Sequence, residues 1–286
     1  MHAPHRRPHL NPMSAPYETL TEIEWDRVSH VWHLLDEGEV DQARVELGDL
    51  LRTRPGHPDL RIVDAAVALD EGEPQAAFEA LQGAERSADP ALFFHLRAMT
   101  QFELARFDAA RDDAQRALAI HPDLAEAHDL LSRTFEHLGD PERAAEHARE
   151  ARAIDPASYP EPLEVSDAEF DALVVESLGE LPVEIRRKLE EWPVVVEPLP
   201  SHDLLTAGLP PLSPDLLGLF VGADLMRRSH ADLPASPGAI YLFRRNLLRS
   251  CTDRDELKRE VRITVQHEVG HLLGLDEDDL ERWGLA

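Results

Sequence analysis

AEAHDLLSRTFEHLGDPERAAEHAREARAIDP, residues 125–156, reads as two short amphipathic helices joined by a tight turn. Gly139 serves the turn, Ala144 and Ala151 sit where the helices approach closely, and Pro156 stops the second helix. The same columns recur upstream. Gly38, Gly72, Ala105 and Gly139 are spaced by 34, 33 and 34 residues. Ala43, Ala77, Ala110 and Ala144 keep those intervals, as do Leu50, Ala84, Ala117 and Ala151. Pro55, Pro90, Pro122 and Pro156 close the units at 35, 32 and 34. Several columns sharing one period specify a repeat array.

The last unit resembles a tetratricopeptide repeat, with Leu131, Phe135, Gly139, Ala144, Ala151 and Pro156 in the family's places. The third unit supplies Phe94, Ala98, Phe107, Ala110, Ala117 and Pro122, and the first two units match less fully. An all-α, tetratricopeptide-like solenoid of about four units is expected over residues 20–158. Such arrays curve, and their concave face commonly takes peptides or protein surfaces. A protein partner is therefore expected at the array, with a spacer or dimerisation role as the alternative. Residues 1–19 are proline-rich and read as a disordered tail, in which His2, His5 and His9 are solvated rather than a metal tract. They hold no apolar run of the kind a signal peptide needs.

Acidic residues number 56 and basic ones 29, a formal net charge of −27. That balance repels nucleic acid and anionic membranes. No apolar run approaches the length of a membrane span. Cys251 is the only cysteine, so no intrachain disulfide can form, a reducing compartment fits best, and a cytoplasmic protein is expected. Any zinc site must then rest on histidines and carboxylates. Cys251 itself has no partner constellation and reads as an inert small hydrophobe.

Residues 156–166, PASYPEPLEVS, carry three prolines and no apolar periodicity, so a linker is expected over 159–165. The second domain, 166–286, begins with helices over 166–178 and 183–191. WPVVVEPLP (192–200) and IYLFRR (240–245) predict strands, while 201–238 shows little regular pattern. A long helix follows over 253–273, with Thr252 as its cap and Asp255 three residues on. Leu257, Val261, Val265 and Val269 give it a buried stripe, and Gly274 ends it.

HEVGH, residues 267–271, falls in the last turns of this helix. Positions four apart differ by about 40° around a helix. His267 and His271 thus project from one face and are expected to hold one Zn²⁺ through ring nitrogens. Glu268 is turned about 100° from His267. It is expected outside the ligand set, as the general base toward a metal-activated water. Only 15 residues follow His271, so a third ligand comes from this tail or from upstream. Gly274 lets the chain double back, and Glu277 then occupies the third-ligand place of an extended HExxHxxGxxH pattern, a carboxylate replacing histidine. Asp276 is the alternative ligand.

LLGLFVG (216–222), IYLFRRNL (240–247) and DELKREVRITVQHEVGHLLGLDEDDLERWGL (255–285) together resemble the minimal zincin-like metallopeptidase family of bacteria. The resemblance spans about residues 165–286. It implies a compact α+β zincin core, zinc, and peptidase activity on a peptide or protein substrate. It also implies that 240–244 is the edge strand that pairs with substrate backbone. Tyr241 is expected in the core and Arg244 on the surface, with an oxyanion-holding role for one of them as the alternative. Two functions follow: a zinc metallopeptidase whose array recruits substrate or partner, or a non-catalytic adaptor with a structural or vestigial metal site.

Overall fold

The structure is a computed structural model whose described residues are 18–87, 89–190, 192–222 and 238–272. The expected tail, with His2, His5 and His9, lies almost wholly outside them. The chain divides into two units, Met1–Tyr159 and Pro160–Ala286.

The described residues of the first unit form eight helices in four antiparallel pairs: α1 (Glu22–Asp36), α2 (Val40–Thr53), α3 (Pro58–Asp70), α4 (Pro74–Leu81), α5 (Pro90–Glu103), α6 (Phe107–Ile120), α7 (Ala125–His137) and α8 (Pro141–Ile154). Each helix packs on its neighbours in the chain, and α1, α3, α5 and α7 also pack in succession. That is the nearest-neighbour stacking of a solenoid. The turn column has a common cause. Gly38, Gly72, Ala105 and Gly139 all take left-handed backbone, with φ of 77°, 74°, 54° and 73°. In each turn the next residue's N–H bonds the carbonyl five positions back: Glu39 to Leu34, Glu73 to Ala68, Arg106 to Gln101 and Asp140 to Phe135. This geometry satisfies carbonyls that the helix end would otherwise orphan. Ala43, Ala77, Ala110 and Ala144 are buried, as are Leu50, Ala84, Ala117 and Ala151. The alanines of these columns that lie within helices let the paired helices approach.

The second pair departs from the expected pattern. Helix α4 ends at Leu81, and Gly83, with φ of 91°, turns the chain. The Arg61 guanidinium donates to the Gln82 carbonyl at 2.7 Å. Pro90 therefore does not stop this helix. It opens α5 at a position where its missing N–H costs nothing, beside the Asp89 cap.

The second unit is α+β. It comprises α9 (Asp167–Gly179), α10 (Val183–Leu189), β1 (Val194–Glu197), α11 (His202–Leu205), β2 (Gly218–Gly222), β3 (Gly238–Phe243), α12 (Arg244–Ser250) and α13 (Arg254–Leu272). The strand order is β1-β3-β2, with β1 parallel and β2 antiparallel to β3. All six residues of β3 are buried, as a central strand covered on both faces requires. Ile240 and Leu242 face a core with Phe170, Leu173 and the α13 stripe. Ala239, Tyr241 and Phe243 face the other way, onto Leu204 and Val221.

Two expectations change here. Strand β2 lies inside the stretch that showed little pattern, because a five-residue strand with glycine at both ends carries a weak signal. And 240–244 is not an edge: β3 is paired on both sides, and β2 bonds only β3 among the described strands. Among the described strands β1 and β2 are the edges, and β2 is the one that packs against α13.

Candidate metal centre

Helix α13 begins one residue later than expected. The Asp253 carboxylate accepts the Glu256 N–H at 2.8 Å, and the Glu256 carboxylate reaches back to the Thr252 N–H and hydroxyl, each at 2.7 Å. Asp253 is thus the cap, and Glu256 bonds the residue before it instead of closing the box on the cap itself. Leu257, Val261, Val265 and Val269 are fully buried, as the spacing predicts. On another flank, Arg254, Lys258 and Arg262 recur every fourth residue and pair with Glu169 and Glu176 of α9 and with Glu180, its C-cap. Core stripe and ion-pair ladder together fix the rotation of α13 about its axis.

That rotation turns a third flank to β2. An added Cβ at Gly218 would lie 2.4 Å from Thr264 Cγ2 and 2.9 Å from the Tyr241 carbonyl oxygen. Glycine is thus what allows α13 this close. One helical turn on, the Phe220 N–H donates to Glu268 Oε2 at 2.7 Å. Helix and strand run in step: four residues of helix rise about 6 Å and two of strand about 6.8 Å. The Phe220 ring covers Gly238, where a Cβ would come within 2.6 Å of it, and meets Trp192 edge-on at 6.1 Å.

The direction of the Phe220 N–H follows from the ladder. Phe243 N–H bonds the Leu217 carbonyl at 2.8 Å, so by antiparallel alternation Leu219 and Val221 bond β3. Gly218, Phe220 and Gly222 turn their backbone groups outward. Setting Glu268 at zero around the helix, Val265 and Val269 stand at about +60° and +100°, and positions 271 and 267 at about −60° and −100°. Passing around α13 one meets the core, the β2 edge with Glu268, and then the histidine positions. Both His267 and Glu268 are half-buried.

The structure thus brings Glu268 onto the side of β2 that no described strand pairs, and sets positions 267 and 271 one turn apart beside it. Position 271 is within the helix, but its side chain lies outside the described part, as do Asp276 and Glu277. Among the described residues no group of three His, Cys, Asp or Glu side chains comes together. The residue types nonetheless suit a zinc ion: two histidine positions a turn apart on a helix whose rotation is fixed, with a carboxylate held to one side. Cys251 is buried in the core cluster, and burial pushes its thiol pKa up, so it is no thiolate donor. Tyr241 points away from α13, and Arg244 pairs with Asp167. Sequence reasoning missed Gly218, Phe220 and Asn246. The buried Asn246 amide donates to the carbonyls of Pro214 and Leu216, both at 2.8 Å, and holds the lead-in to β2. Only the LLGLFVG resemblance pointed toward this strand.

The profile of the zincin-like metallopeptidase family matches residues 189–285. A tetratricopeptide-repeat profile matches residues 29–91 and 95–159. Comparison with curated proteins finds no match. Among solved structures, a crystal structure of MamA is similar at 20% identity over 56% of this chain and 84% of that one, with a TM-score of 0.38. Pseudomonas aeruginosa PilF is similar at 15% identity over 93% and 98%, with a TM-score of 0.43. The type IV pilus biogenesis factor PilW aligns at 13% identity over 55% and 84%, with a TM-score of 0.31. No helix of the described residues is long and apolar enough to cross a membrane. The chain carries a zincin-like metallopeptidase domain preceded by an array of tetratricopeptide repeats.

Proposed function

We propose that residues 166–286 form a zinc-dependent metallopeptidase that hydrolyses peptide bonds, and that the array over 20–158 recruits a substrate protein or a partner. The observation that carries this reading is the seat of Glu268. A carboxylate one residue from His267 is held by the outward N–H of β2, on the side that no described strand pairs and where an extended peptide can add as a further strand. His267 and His271 hold the ion, with Glu277 as third ligand and Asp276 as the alternative. Zinc, when bound, polarises a peptide carbonyl and brings water within reach of deprotonation near neutral pH. Glu268 takes that proton on Oε1, Oε2 being engaged by Phe220, and returns it to the departing amine. The β2 edge orients the peptide through backbone groups of Gly218 and Gly222. Apolar packing on the other flank of α13 excludes water from behind the base. Action in the cytoplasm suits a chain whose one cysteine is buried and unpaired in any disulfide.

The test uses purified full-length protein. Metal analysis is expected to find one zinc per chain, lost on His267→Ala or His271→Ala. Glu268→Gln is expected to keep zinc and to lower peptide-library hydrolysis by about 10²–10⁴-fold. Retained hydrolysis in that variant removes Glu268 from the chemistry. Zinc-loaded protein that cleaves nothing in a broad peptide library favours the adaptor function instead.

A further inference from the structure

We infer that the Phe220 backbone amide is a positioning group for Glu268, and that this donor is therefore withheld from any peptide adding to β2. The inference deepens the peptidase reading and rests on it for its significance, though the contact itself is measurable without activity. Three observations carry it. Phe220 belongs to the outward-facing set of β2, yet its N–H is taken from within the molecule by Glu268 Oε2 at 2.7 Å. Thr264, one turn before Glu268, is seated against the glycine two residues before Phe220, so helix and strand meet at two successive points. The strand cannot easily swing away: the Phe220 ring lies over Gly238 and against Trp192.

A glutamate on a helix has three rotatable side-chain bonds and would otherwise sample several positions. A charge-assisted hydrogen bond from a backbone N–H, which itself sits on a paired strand, removes that freedom at one oxygen. It orders the base before substrate arrives. It also sets the reading frame of the edge. A peptide strand laid on β2 can bond backbone groups of Gly218 and Gly222, while the donor between them stays with the carboxylate. The peptide group opposite Phe220 is thereby left beside Glu268 instead of being tied into the ladder.

Amide hydrogen exchange on full-length, metal-free protein tests this residue by residue. Phe220 is expected to be protected in the parent protein and in Glu268→Gln, whose side-chain carbonyl can still accept. In Glu268→Ala it is expected to exchange about tenfold faster or more, with Leu219 and Val221, bonded to β3, unchanged. Equal Phe220 exchange in parent and Glu268→Ala overturns the inference. So does equal acceleration of all three amides in Glu268→Ala, since that marks a general support of β2. Failure of Glu268 as the base is read separately, from hydrolysis by zinc-loaded Glu268→Gln, and leaves the exchange result standing.

Discussion

Replacing Gly218 by alanine isolates the contact that brings α13 to the sheet. The added Cβ would stand 2.4 Å from Thr264 Cγ2 and 2.9 Å from the Tyr241 carbonyl oxygen. Carbon atoms prefer about 3.5–4.0 Å, so the first contact is short by more than 1 Å. Thr264 is buried and can relieve part of the clash by rotating, but the cross-strand carbonyl cannot. Overpacking of this kind costs about 1–3 kcal/mol. Alanine also restricts the unfolded chain, which offsets about 0.4–1 kcal/mol. The net expected loss is about 1–2 kcal/mol, or roughly 5–30-fold in the folding equilibrium of the second unit. Native-state exchange of the slowest amides of α13 reads that equilibrium without interference from the repeats. Thr264→Ser removes Cγ2 while keeping the hydroxyl, so the double variant is expected to recover part of the loss. A Gly218→Ala protein as stable as the parent, or a double variant no better than Gly218→Ala, would refute the close-approach explanation.

Two further outcomes test the array. Ala105 holds a left-handed turn that costs an L-residue about 1–2 kcal/mol, so Ala105→Gly is expected to raise the thermal midpoint; Gly139→Ala, which meets no atom within 4 Å, is expected to lower it by backbone strain alone. A destabilising Ala105→Gly would contradict the turn geometry. His95 is buried, and burial with nearby Arg133 pulls its pKa down to about 4. The unfolded chain takes up that proton near 6.5, so array stability should fall by about 3 kcal/mol as pH drops from 6.5 to 4, and level off below. Urea titrations across this range check it, and His95→Phe is expected to remove that share of the slope. A parent protein whose slope matches the variant's would sink it.

The array was legible because its information is local. A left-handed turn wants glycine, a close helix pair wants alanine, and both demands return with every unit. Where a unit is irregular the reading slipped: Pro90 fits either the end of one helix or the start of the next, and the length of α4 decides. The cap of α13 slipped by one residue for a similar reason. Thr252 and Asp253 are both good caps, and Glu256 engages Thr252 while Asp253 takes the helix N–H.

Helix α13 could be read from residues four apart, because a helix displays its own periodicity: the Val and Leu stripe, the histidine positions on one face, and a glutamate turned from them. Strand order could not. A strand's place in a sheet depends on partners distant in sequence, and a hydrophobic run such as IYLF reads alike at the centre or at an edge. Sequence alone thus determined that a repeat array precedes an HEVGH helix with a defined buried face. Only tertiary structure decided that β3 is central, that β2 offers the edge, and that Glu268 is seated on the Phe220 amide, 48 residues away in the chain. Nothing local encodes that last pairing: it exists because Gly218 has no side chain to hold the helix off.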